Sequence, residues 1–185
     1  MNSSTEAEFR AFVASRWPRM LRTARLLTGN HHDAEDLVQS ALVKTYVKWE
    51  RVRRAEELDA YVWRIMINTN RDRVRLNRVR EWLTTRFPET AAPERADGIA
   101  EAGALAEALS LLPARQRAVI VLRYLEDRSE TEVARILGTH VGTVRSHAAR
   151  ALYRLREQPG VLEEWAGLPD RARTGVGPRV EEARS

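Results

Sequence analysis

Thr143, Arg145, Ser146, His147, Arg150 and Arg154 share one side of a helical pattern that begins near Val141. These are groups that recognise a polyanion. A guanidinium presents a planar fork of donors that spans two acceptors of a guanine or a phosphate. Residues near the start of such a helix reach base edges in a major groove, and those further along meet phosphates. The competing reading is a face of solvated arginines. A second cluster strengthens the first. Residues 61–80 hold Arg64, Arg71, Arg73, Arg75, Arg78 and Arg80 against a single acid, Asp72. That local excess of five equals the formal net charge of the whole chain, +5, so the charge is placed rather than scattered. Arg71 and Arg75 lie four apart, and Asn68 one turn earlier, so the three share a helix face.

Val144, Ala148, Ala151, Leu152 and Leu155 form the inward stripe of the helix that begins near Val141. A shorter helix precedes it. Ser129 and Glu132 make a capping box, Val133, Ala134, Ile136 and Leu137 supply the apolar face, and Gly138 stops the helix. Ala134 permits close approach, Gly138 makes the turn, and Val144 plugs the angle. These offsets are those of a helix-turn-helix, whose two helices cross steeply over a small core.

Helical periodicity runs from Glu6 to about Glu157, with no convincing strand. The first helix buries Phe9, Phe12, Val13, Met20, Leu21, Ala24 and Leu27 and breaks at Thr28-Gly29-Asn30. The second starts near Asp33, with Asp33, Glu35 and Asp36 at its positive end, and buries Leu37, Val38, Ala41, Leu42, Thr45, Tyr46 and Trp49. Tyr46 and Trp49 read as core rather than as base-stacking groups; Trp63 fits either role. A charged loop at 50–57 leads to a third helix over 58–83 with Val62, Ile65, Met66 and Thr69 inward. The expected organisation is all-α: one helical domain over 1–83, a flexible linker over 84–103, a second over 104–157 and a largely irregular tail over 158–185. A short helix is expected near Val161–Trp165. Fully extended, the linker reaches roughly 66–72 Å, about two turns of DNA.

Composition narrows the classes. The chain has 185 residues, no cysteine and a pI near 10.2, which excludes disulfide scaffolds and thiolate metal sites and suits a polyanionic partner. Its 29 arginines against two lysines also fit G+C-rich coding. No apolar run reaches the ~18 residues of a membrane span and the N-terminus lacks a secretion pattern, so a soluble, cytoplasmic protein is expected. His32 and Asp36 share a helix face, but a zinc site needs three or four ligands and no second cluster appears. His31 and His32 read as loop and cap residues. No nucleophile elbow, phosphate loop or dinucleotide fingerprint is present; no catalytic role, cofactor, metal or small-molecule substrate is expected.

"LSLLPARQRAVIVLRYLEDRSETEVARILGTHVGTVRSHAARALYRLR" closely resembles region 4 of bacterial RNA polymerase sigma factors of the extracytoplasmic-function class. "DAEDLVQSALVKTYVKW" resembles region 2.2, and "YVWRIMINTNRDRVR" regions 2.3–2.4. The likeness spans about residues 6–157 and looks nearest to the actinobacterial sigma-E type. It implies a factor that binds core polymerase and directs promoter-specific initiation. Asp33, Glu35, Asp36, Leu37 and Gln39 would dock on the clamp helices of core polymerase. Trp63, Asn68, Arg71 and Arg75 would bind and open the −10 element, and the 50–57 loop would line a pocket for a flipped base. The outer face of the helix that begins near Val141 would read the −35 element. An anti-sigma factor is a further implied partner. The alternative is a helix-turn-helix regulator that acts without polymerase. His140 stands where the family usually has Ser or Thr, leaving Thr139 as a substitute cap, and His147 replaces a common Arg, Lys or Gln.

Overall fold

The computed structural model describes residues 3–55, 57–86 and 104–158. Every element among them is helical. α1 (Ser3–Thr28) is a 26-residue helix that tolerates Pro18 in its interior. It ends at Gly29, whose φ of 89° is the left-handed conformation that costs glycine least. Asn30 then caps α2 (His31–Val47): its side chain accepts from the Asp33 amide at 2.8 Å and donates to the Asp33 carboxylate at 2.7 Å. The cap is thus Asn30, and His31 and His32 belong to the first helical turn rather than to a loop. His31 faces Glu35 and His32 faces Asp36 across one turn.

The segment expected as a charged loop opens with a short helix, α3 (Trp49–Val52). α4 runs over Leu58–Arg86, three residues beyond the expected boundary. The remainder of the expected linker and the helix expected near Val161–Trp165 lie outside the described residues. The second half comprises α5 (Ala104–Ser110), α6 (Ala114–Ile120), α7 (Glu130–Leu137) and α8 (Val141–Arg156). α6 continues into a π-helical stretch, Val121–Leu125, closed by a bond from the Glu126 amide to the Val121 carbonyl at 2.9 Å. Nothing in the apolar pattern announces that extra residue.

Phe12, Met20, Ala24 and Leu27 of α1 pack on Leu37, Val38 and Ala41 of α2, with Val62, Met66 and Ile67 of α4 closing the first bundle. Trp49 is buried in the aromatic cluster with Phe9 and Phe12, as its helical register implies. Tyr46 departs from expectation: it is 40% exposed, sitting at the rim with its ring edge on Phe9. The apolar stripe of α2 is filled by smaller residues, and the last turn leaves Tyr46 at its margin.

The two halves are not separated. α1 packs against α5 and the π-helical stretch, and α4 packs against α7. Glu126, with its side chain 2% exposed, receives Arg19 at 2.5 Å and the Thr23 hydroxyl, both from α1. Arg117, whose burial pulls its pKa down, donates to the Leu27 carbonyl at 2.7 Å. Arg128 approaches Asp59 at 3.8 Å, Arg135 pairs with Glu57, and Arg64 donates to the Arg135 carbonyl at 2.8 Å.

Candidate nucleic-acid interface

The helix-turn-helix forms as its offsets demand. Ser129 Oγ accepts from the Glu132 amide at 3.2 Å, and Glu132 accepts from the Ser129 amide at 2.8 Å. Those bonds favour the ionised carboxylate and hold the Glu132 pKa below its ordinary value. Gly138 adopts φ 62°, ψ 46° and ends α7. Val144, Ala148, Ala151, Leu152 and Leu155 are all buried, against Val133, Ala134 and Ile136 of α7 and the apolar residues of α6. α8 starts differently from the expected cap. His140 occupies the N-cap position without a side-chain cap bond, and the Thr139 amide bonds back to the Ala134 carbonyl. The packed core fixes the helix without the usual hydroxyl.

The outer face of α8 is presented unevenly. Arg145 is exposed, and its Nε donates to Glu130 on α7 at 2.7 Å. Ser146 turns its hydroxyl back to the Thr143 carbonyl at 3.0 Å. Arg150 is exposed, while Arg154 donates to the buried Gln116 at 3.1 Å. His147 faces inward toward the other half: its Nδ1 is buried without a hydrogen-bond partner, and its pKa is lowered by burial and then by Arg150 and Arg115.

On α4, Asn68 is half-buried, while Arg71 and Arg75 are exposed. Arg71 lies 3.6 Å from Asp72. Arg73 points elsewhere, pairing with Asp33 and donating to its carbonyl at 2.8 Å. Trp63 resolves to the core: it is 4% exposed and covered by the Arg19 guanidinium, so its ring is not offered to a base here. Asn68 and Arg71 face Arg115 and His147 across a cavity of about 50 Å³ between the halves.

The expected docking residues divide. Asp36 and Gln39 are exposed and Glu35 is half-buried. Leu37 is 1% exposed and belongs to the core, not to a docking surface. Asp33 is engaged by Asn30 and Arg73. The sequence reading missed Val43 and Val47, 64% and 77% exposed, which continue the Asp36–Gln39 face of α2 alongside Tyr46. The signal was available: α2 carries more apolar residues than one buried stripe can use. Among the described residues no group of His, Asp and Glu is arranged to hold a metal, and no helix is long and apolar enough to cross a membrane.

Comparisons with known proteins match both halves of the chain. Residues 12–80 match Sigma-70 region 2 and residues 102–155 match Sigma-70, region 4. The RNA polymerase sigma-E factor of Streptomyces coelicolor is 40% identical over 82% of this chain and 85% of its own length. The ECF RNA polymerase sigma factor SigW of Bacillus subtilis is 30% identical over 71% and 78%. Among solved structures, the sigma factor RpoE of Bartonella quintana, in complex with the anti-sigma factor NepR, superposes with a TM-score of 0.66. It is 30% identical and covers 84% of this chain and 97% of that one. With both regions present in order on matching helices, the chain belongs to the sigma-70 family of RNA polymerase sigma factors, in the extracytoplasmic-function class.

Proposed function

We propose that this chain is a sigma factor that binds core RNA polymerase and directs promoter-specific transcription initiation, with its labour divided among three helices. α8 reads the −35 element in duplex form through Arg145 and its neighbours, with Arg150 and Arg154 on phosphates. α4 engages the −10 region through Asn68, Arg71 and Arg75. α2 docks on the clamp helices of core polymerase through Glu35, Asp36, Gln39 and the exposed Val43 and Val47. The observation that carries the reading is the capped, glycine-turned α7–α8 pair with an exposed arginine on its outer face. It works in the cytoplasm, where polymerase and promoter are, and as a regulator rather than a catalyst. The complex of the related RpoE with NepR supports an anti-sigma protein as a further partner. Run-off transcription with purified core polymerase on randomised promoters tests it. Specific transcripts that depend on this chain are expected, and their absence with polymerase association intact would refute it.

A further inference from the structure

Arg145 is held on one edge only. Its Nε donates to Glu130 at 2.7 Å, while the side chain as a whole is 69% exposed. Glu130 is itself only 28% exposed and has Arg123 at 3.8 Å on its other oxygen. A guanidinium gripped at Nε keeps its Nη1–Nη2 edge free, with two nearly parallel N–H donors at the spacing that matches O6 and N7 of guanine. The grip also restricts a side chain that would otherwise sample many rotamers. We propose that Glu130, on the first helix of the motif, is a positioning residue that sets base specificity at one −35 position by presenting Arg145 edge-on to a guanine. This rests on Arg145 reading that element. A carboxylate near DNA otherwise repels phosphates, so a merely electrostatic role changes affinity for every sequence alike.

The test uses the full chain bound to core polymerase and promoter duplexes randomised over the −35 element. Arg145→Ala should lose roughly tenfold or more discrimination at one base. Glu130→Ala should lose roughly three- to tenfold at that same base, the size of one net hydrogen bond. Glu130→Gln, which keeps an acceptor, should retain most of it. A uniform change of affinity in Glu130→Ala, with the base profile unaltered, overturns the proposal. A profile unaltered in Arg145→Ala as well overturns it together with the role given to Arg145.

Discussion

Arg145 and Arg154 differ in what surrounds them, and that difference predicts different losses. Arg145 stands one turn into α8, exposed and steadied by Glu130. Arg154 lies at the far end, held by Gln116 against the body of the motif. Arg145→Ala is expected to cost about 1–3 kcal/mol and to relax preference at one −35 base. Arg154→Ala should weaken all sequences alike and reduce the salt dependence of binding, as a phosphate contact does. Binding-site selection with both variants checks this; a changed motif in Arg154→Ala with none in Arg145→Ala contradicts it.

Among the elements, α2 and α4 each carry one buried and one presented face, and the presented faces make separate predictions. Asp36→Arg reverses a charge beside the exposed Val43 and Val47 while leaving the Leu37–Ala41 stripe intact. It should abolish association with core polymerase yet shift thermal stability by no more than about 0.5 kcal/mol. Co-purification together with a melting curve measures both. Asn68→Ala with Arg71→Ala should keep polymerase association and block promoter opening. Opening a duplex costs a few kcal/mol per unstacked step, which a pocket and a basic groove offset. A pre-opened −10 bubble should therefore restore transcription. Permanganate reactivity of unpaired thymines at the wild-type rate would show that these side chains only keep α4 soluble.

At the scale of the molecule, His147 reports on how the halves meet. Its imidazole faces Arg115 and Arg150, with Arg71 and Asn68 on the opposite wall. Burial and those cations disfavour the charged ring, so its folded pKa lies below the ordinary 6.5. A base depressed in this way binds its proton more readily in the unfolded chain. Stability is unaffected well above pH 6.5 and falls as the pH drops below that value. His147→Gln should flatten the fall, and thermal melts over mildly acidic pH will show whether it does.

How much of this was legible in the residues follows from distance along the chain. The α7–α8 motif is legible because its cap, turn and plug lie within sixteen positions of one another, Ser129 to Val144, and each has a local physical signature. The buried stripe of α8 follows from period alone. What joins the halves is not local: Arg19 and Glu126 are 107 residues apart, and an acid at the end of an apolar run, beside Asp127, carries no periodic mark. Trp63 was ambiguous for a related reason, since whether an aromatic at the edge of a basic helix is covered depends on Arg19 from another helix. Leu37 could not serve both core and docking surface, and burial decided for the core.

The π-helical stretch at Val121–Leu125 is, in terms of chain length, one residue more than an α-helix needs there. Successive residues of an α-helix turn by about 100°. Winding the same residues as a regular α-helix, with none removed, would swing Glu126 by roughly that angle. The carboxylate now aimed at Arg19 and Thr23 would then face away from α1, although no residue in contact with α1 need have changed identity. The joint between the halves is therefore set by how tightly five residues are wound as much as by which residues they are.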